Sequence, residues 1–257
     1  MVHRASRHIA PAKQQFSGNI RGEISIVIPA AGMGRRMKSY GPKALIPLPS
    51  DKTNPRTGES RGENITLIER QLHILIDCYP NAEIFIVVGF QAEKIRHRLK
   101  DYPVRFIYNP LHESTNVLYS LGLAFQAVIS ASAIIVYGDL IFNTNAVQNL
   151  KGESKIIADA YGQMCDDEVG LTIQNKQAMT FAYGLENKWA QIAYLSGKEL
   201  SLFKEISMHS DTSQWFGYEG LNHVIKHGGN FEVIRPRTMR LVEIDQAKDL
   251  EKISNLN

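Results

Sequence analysis

Two runs, Ile24-Ser25-Ile26-Val27-Ile28 and Ile84-Phe85-Ile86-Val87-Val88-Gly89, are almost wholly apolar and are separated by a segment with helical periodicity. A strand with one wet face alternates apolar and polar residues, so runs like these belong to strands covered on both sides, as in parallel sheets. Between them, apolar residues at Ile65, Leu67, Ile68, Leu72, Leu75 and Ile76 predict a helix over Ile65–Asp77. The alternation continues with a helix over Ala92–Leu99, a strand over Val104–Tyr108, a helix over Val117–Ile129 and a strand over Ala133–Tyr137. Strand and helix in turn is the mark of βαβ units.

Beyond about Asn145 the pattern changes. Ser154–Tyr161, Glu168–Ile173, Ala178–Leu185 and Trp189–Leu195 read as antiparallel strands. Helices over Lys198–Ile206 and Tyr218–His227 follow, then strands near Phe231–Arg235 and Leu241–Ile244 and a closing helix over Gln246–Ile253. No internal repeat is visible. Residues 1–22 are polar and unpatterned and are expected to form a flexible tail, with residues 23–257 as one domain. The stretch 49–64 is rich in Pro, Thr, Gly, Ser and charge and reads as an inserted surface loop.

The 257 residues carry 29 Lys and Arg against 26 Asp and Glu, a net charge of +3. That mild excess suits anionic small molecules and does not call for nucleic acid. Cys78 and Cys165 lack a C-x-x-C spacing and read as reduced thiols. The apolar runs are strand-sized, too short for a membrane span, and the basic N-terminus lacks the apolar core of a secretory signal. A cytoplasmic protein, monomer or homodimer, with no membrane partner is expected.

Pro29-Ala30-Ala31-Gly32-Met33-Gly34-Arg35-Arg36-Met37 follows the first strand. It therefore lies at a strand's carboxyl end, where open α/β sheets bind ligands. Small residues admit phosphate close to backbone N–H groups, and two arginines can pair with its oxygens. A tight strand-to-helix turn would also use these residues. The dinucleotide fingerprint needs a third glycine where Met37 stands, and a Walker A loop needs Gly-Lys-Ser/Thr. Pro42-Lys43-Ala44-Leu45 comes shortly after, with Lys43 placed to face the same edge.

Together these residues resemble the signature of the nucleotidyltransferases that activate sugar phosphates and phosphocholine. The pattern in that family is A-A-G-x-G-T/S-R-M/L followed by P-K-x-L. The likeness continues through Ile68-Glu69-Arg70-Gln71, Val88-Gly89-Phe90-Gln91, Gly138-Asp139 and Val242-Glu243-Ile244-Asp245. It implies a Rossmann-like α/β fold: a mixed, mostly parallel central sheet flanked by helices, with a smaller antiparallel region on the acceptor side. It also implies that Lys43 and Arg36 act on the phosphates, and that Asp139 and Asp245 hold Mg²⁺. Mg²⁺ keeps several waters and takes one or two carboxylates plus substrate phosphate, which suits this pair. Glu243 precedes Asp245 by two residues on one strand and so shares its face. As alternatives, Asp139 is a turn residue and Asp245 an N-cap.

Nucleotide-binding residues are expected at Ala30, Ala31, Gly32, Met33, Gly34 and Arg35, with Gln91, Ser114, Thr115 and Asn116 toward the base. Arg35 stands where the family has Thr or Ser. Ser114-Thr115-Asn116 with Ser120 resembles the N-x-x-x-S-L stretch of phosphocholine cytidylyltransferases, which points to CTP, although plain helix capping would use the same residues. Trp189-Ala190-Gln191-Ile192 replaces the stretch with which sugar enzymes grip hydroxyls. The expected partners are thus an NTP, CTP by preference, and a small phosphorylated alcohol or phosphonate. A nucleotide-sugar glycosyltransferase would want Asp-x-Asp after the strand, whereas Asp139 is followed by Leu140 and Ile141. A catalytically dead nucleotide-binding protein would have no reason to keep Arg36, Lys43, Asp139 and Asp245 together.

Overall fold

The computed structural model describes residues 23–34, 41–48, 65–160 and 168–255. The expected tail over 1–22, Arg35, Arg36, the 49–64 insertion and Cys165 lie outside the described residues.

The first half of the chain forms strands β1 (Ile24–Ala30), β2 (Glu83–Val88), β3 (Val104–Tyr108) and β4 (Ser132–Val136), joined by helices α1 (Leu67–Cys78), α2 (Ala92–Arg98) and α3 (Val117–Phe125). All four strands run parallel in the order β3-β2-β1-β4. Ile26 and Ile28 of β1 point into one core layer with Leu72 and Leu75 of α1. Val27 points into the opposite layer with Leu118, Leu121 and Phe125 of α3. Both faces are covered, which is why the strand is apolar at successive positions.

The second half adds β5 (Leu140–Phe142), β6 (Lys155–Asp159), β7 (Val169–Gln174), β8 (Gln177–Tyr183), β9 (Asn187–Ser196), α4 (Gly197–Ser207), α5 (Gly217–Lys226), β10 (Glu232–Ile234) and β11 (Leu241–Glu243). It does not form a separate unit. β9 pairs antiparallel with both β4 and β6, extending the sheet to nine strands in the order β3-β2-β1-β4-β9-β6-β10-β8-β7. α4 and α5 complete the second core layer through Leu200, Phe203, Leu221 and Val224.

Two expectations need correction, and one strand was not expected. The helix expected to reach Ile129 ends at Phe125, because Ala127, Val128 and Ile129 lead through a turn into β4. The closing helix is instead a run of 3-10 turns over Ala247–Asn255. β5 was not foreseen: Leu140-Ile141-Phe142 pairs antiparallel with β11 in a small two-stranded sheet, Leu140 opposite Glu243. No helix among the described residues is long and apolar enough to cross a membrane.

Candidate active site

β2 and β3 extend the sheet to one side of β1, and β4 lies on the other. The carboxyl ends of β1 and β4 therefore flank a point where strand order reverses, the usual ligand crevice of such sheets. The loops leaving these strands are tied together by backbone bonds. Phe90 N donates to the carbonyl of Ala31 at 3.0 Å, Asn109 N to Val88 at 2.8 Å, and Gly138 N to Pro29 at 3.3 Å. Gly89 is required by this closeness, since a Cβ there would stand 2.5 Å from His112 and 2.8 Å from the Ala31 carbonyl.

Ala30 ends β1, Ala31 is buried, and Gly32, Met33 and Gly34 continue along the edge of the sheet. Gly34 has φ +52°, and a Cβ on it would approach Cγ of Lys43 to 3.1 Å. The stem of Lys43 thus runs across the glycine loop. Lys43 opens a 3-10 turn after Pro42, and the following residues anchor it: Leu67 N donates to the Ile46 carbonyl at 3.0 Å and Leu48 N to Ile65 at 2.8 Å.

The ammonium of Lys43 donates to Asp245 Oδ1 at 2.6 Å and to Asp139 Oδ2 at 3.2 Å. Burial works against a charge on Lys43, yet the two aspartates hold its pKa above the ordinary lysine value. Asp139 lies three residues past the end of β4, and its own carbonyl accepts from Ile244 N at 2.9 Å. That bond and the β5–β11 ladder bring Glu243 and Asp245 beside it across the whole length between them. Gln71 of α1 braces the turn, donating to the carbonyls of Tyr137 and Leu140 at 2.9 and 2.7 Å. Glu69 from the same motif points elsewhere: it caps α1 through Thr66 and pairs with Arg98 at 2.9 Å.

Asp139, Glu243 and Asp245 each offer a carboxylate oxygen within 4.8 Å of the others. Burial, above all, raises the pKa of Asp139, and the charge of Asp245 adds to it against the opposing pull of Lys43. Glu243 is pushed up to about 8, by burial first and then by Asp139 and Asp245. Such crowding is unfavourable unless a cation shares it. Asp139 Oδ1 is buried and has no hydrogen-bond partner. A carboxylate with an orphaned oxygen, gathered with two further carboxylates, fits a small hard cation such as Mg²⁺, so these residues suit the ion the resemblance implies.

On the base side, Gln91 caps α2 with φ 49°, and its Oε1 is buried without a partner. Ser114, Thr115 and Asn116 are engaged in the loop itself. Asn116 caps α3 by accepting from Val117 N at 2.8 Å, and Thr115 donates to the Leu111 carbonyl at 2.7 Å. Asn109 gathers the rest, donating to Ser120 at 3.0 Å and to Thr115 at 3.2 Å. Sequence reasoning passed over Asn109 and Gln71. The first is visible only as a polar residue at a strand end, and the second as the last residue of the Ile68-Glu69-Arg70-Gln71 likeness.

Of the aromatic residues in the second half, Trp189 and Tyr194 are core, 4% and 5% exposed. Phe216 and Tyr183 are 41% and 47% exposed and both contact the ring of Tyr218. Tyr137, two residues before Asp139, links this group to the acids, since its hydroxyl lies against Gly217.

Comparison with known proteins bears on the fold and the family. The bifunctional protein GlmU of Synechococcus sp. (strain JA-2-3B'a(2-13)) is 30% identical over 118 residues, 46% of this chain and 16% of that protein. The chain therefore matches only a small part of that relative's length. The CTP:phosphocholine cytidylyltransferase LicC of Streptococcus pneumoniae superposes with a TM-score of 0.73 at 19% identity, covering 91% of this chain and 98% of that one. The inositol-1-phosphate CTP transferase of T. maritima gives 0.66 at 17% identity, covering 94% and 96%. At these identities the likeness concerns the fold. The MobA-like NTP transferase domain matches residues 26–183, more than half the sequence, and the chain belongs to that family.

Proposed function

We propose that this protein transfers CMP from CTP to a small phosphorylated alcohol or phosphonate, releasing pyrophosphate and using Mg²⁺. The observation that carries the reading is the meeting of Lys43 with Asp139, Glu243 and Asp245 at the sheet's switch point. A phosphate monoester is largely ionised at neutral pH, its second pKa being near 6, so the acceptor needs no general base. The task of the chain is then positioning and charge neutralisation. Lys43 would turn from the aspartates to hold acceptor phosphate and α-phosphate together. Arg36 would take the outer phosphates, and the backbone of Ala30–Gly34, with Arg35, would line the triphosphate. Asp139 and Asp245, with Glu243 beside them, would hold the Mg²⁺, which when bound neutralises charge on the phosphate oxygens.

The base preference is supported by Gln91, whose unpartnered Oε1 suits the amino group of cytosine. Ser114, Thr115 and Asn116 would shape the wall of the base site. The acceptor preference is supported by the exposed rings of Tyr183 and Phe216, which flank the half-buried Tyr218 on the side of Tyr137 and could meet an alkylammonium group. The resemblance of the Ala30–Met37 and Pro42–Leu45 stretches to the nucleotidyltransferases that activate sugar phosphates favours a second reading, a sugar 1-phosphate as acceptor.

Pyrophosphate release should be followed with four NTPs against phosphorylated alcohols, phosphonates and sugar 1-phosphates. A mispaired base leaves buried groups unsatisfied at about 1–3 kcal/mol each, so kcat/KM for CTP should exceed that for UTP at least about tenfold. Equal values, or efficient use of glucose 1-phosphate, would overturn the specificity and leave the family assignment intact.

A further inference from the structure

Asp139 stands in the turn Tyr137-Gly138-Asp139-Leu140 between β4 and β5. Backbone bonds hold this turn from several sides, but unequally. Leu140 N closes it on the Tyr137 carbonyl at 3.4 Å, Tyr137 N reaches the Gln191 carbonyl of β9 at 3.4 Å, and Gly138 N the Pro29 carbonyl of β1 at 3.3 Å. All three are longer than the usual range of about 2.7–3.2 Å. The short contacts come from elsewhere. Ile244 N donates to the Asp139 carbonyl at 2.9 Å, and the Gln71 amide donates to the carbonyls on either side of it, Tyr137 at 2.9 Å and Leu140 at 2.7 Å.

Gln71 is 1% exposed, and its amide oxygen is buried without a partner among the described residues. An unpaired buried oxygen is costly, so on burial alone an apolar side chain would suit this helix face better. What the amide adds is its pair of N–H bonds to the turn. Gln71 also stands on the helix that seats Lys43. Ile46 N donates to the Lys43 carbonyl at 3.1 Å, and Leu67 N, at the start of α1, donates to the Ile46 carbonyl at 3.0 Å. Leu67 and Gln71 are one helical turn apart, about 5.4 Å along the axis. Leu67, Ile68 and Leu72 are completely buried, and Glu69 caps the helix start through Thr66, so this stretch has no room to shift. One rigid turn of helix therefore grips the Lys43 segment at one end and the Asp139 turn at the other.

We propose that Gln71 is a positioning residue: it fixes the Asp139 turn to the helical turn that seats Lys43, and so sets where the Asp139 carboxylate stands relative to the Lys43 ammonium, Glu243 and Asp245. Three carboxylates gathered within 4.8 Å repel one another, and a turn held only by long bonds would yield to that repulsion. A site for a small cation works only when its groups stay within about 0.5 Å of their places. The Gln71 amide is neutral, so it holds the turn without adding a charge that would compete with the cation. The inference rests on the metal reading of Asp139, Glu243 and Asp245.

The test uses Mn²⁺ alone, titrated into the nucleotide-free protein at a temperature where each variant is folded and read by the electron paramagnetic resonance of the free ion. Gln71→Met keeps the length and loses the N–H groups, and its Mn²⁺ affinity should fall about tenfold, as on loss of a partner behind the direct ligands. Gln71→Asn keeps an amide but is one methylene too short to span both carbonyls. It should lose affinity likewise, and it decides the question should the Met variant not fold. The control is Gly122→Ala in α3, on the opposite face of the sheet, where an added Cβ would stand 2.0 Å from the Ser207 carbonyl. It should lower Tm and leave Mn²⁺ affinity within twofold. Affinity within twofold for either folded Gln71 variant, or an equal loss in Gly122→Ala, would overturn the assignment. If the unaltered protein binds no Mn²⁺, the metal reading of the cluster falls and this assignment with it; if it binds and the Gln71 variants bind equally, only the assignment falls.

Discussion

Lys43 bridges Asp139 and Asp245 at 3.2 and 2.6 Å, and the same two carboxylates are the ones suited to a divalent cation. A cation held between two anionic reactants lowers their repulsion most in the transition state. Lys43→Ala should therefore cut kcat about a hundredfold or more, with circular dichroism unchanged. Near-normal kcat would remove Lys43 from the chemistry. Asp139→Ala should be more damaging than Asp245→Ala in a Mg²⁺ titration of the rate. Asp139 has the orphaned buried oxygen, whereas Asp245 is the more exposed and has Glu243 beside it. Full rate at ordinary Mg²⁺ in either variant would count against direct ligation. At this scale Asp139 and Asp245 could be named from the sequence because each comes shortly after an apolar strand, and Lys43 because it stands in the Pro42-Lys43-Ala44-Leu45 stretch. The pairing of Lys43 with both aspartates could not, since nothing local links residues so far apart.

Helices α3 and α4 touch so closely that a Cβ on Gly122 would lie 2.0 Å from the Ser207 carbonyl. The contact is backbone, which cannot rotate away, so an added methyl must push the helices apart. Gly122→Ala should cost about 1–3 kcal/mol. For a chain of this length that lowers Tm by roughly 2–4 °C per kcal/mol, readable by differential scanning fluorimetry. An unchanged Tm would show that the helices yield freely. Elements with a two-sided apolar signature, β1, β2 and β4, were legible because burial on both faces leaves a mark at every position. β5 was not, because three residues after a Gly-Asp turn become a strand only when β11 arrives to pair with them. The 3-10 turns over Ala247–Asn255 were mistaken for a helix because Asp249 caps their start and the spacing of apolar residues is similar.

Over the whole molecule, the acidic cluster makes stability depend on pH. Asp139 and Glu243 both titrate above their ordinary values, Glu243 at about 8 against 4.5. The folded state thus binds more protons than the unfolded chain between those limits, so stability falls as pH rises through them. Glu69 and Asp249 are shifted downward and act only in more acid solution, Lys43, shifted upward, only in alkaline, and His223, held below the ordinary histidine value by burial, offsets part of the decline in the acid half of the interval. Without divalent metal, Tm should decline from pH 5 to pH 8, Mg²⁺ should recover more of it at pH 8 than at pH 6, and Glu243→Gln should flatten the slope. A metal-free Tm that rises over this interval would refute the arrangement. The sequence by itself determined the α/β class, the carboxyl-edge location of the glycine loop and the kinds of residue available for phosphate and cation. Those follow from strand periodicity and from what may stand at a strand's end, both local properties. Only the tertiary structure decided that β9 joins the parallel half as one sheet, and that β5 and β11 deliver Glu243 and Asp245 to Asp139. Such choices depend on pairing between segments far apart in the chain, which burial and hydrogen bonding settle together and no single segment encodes.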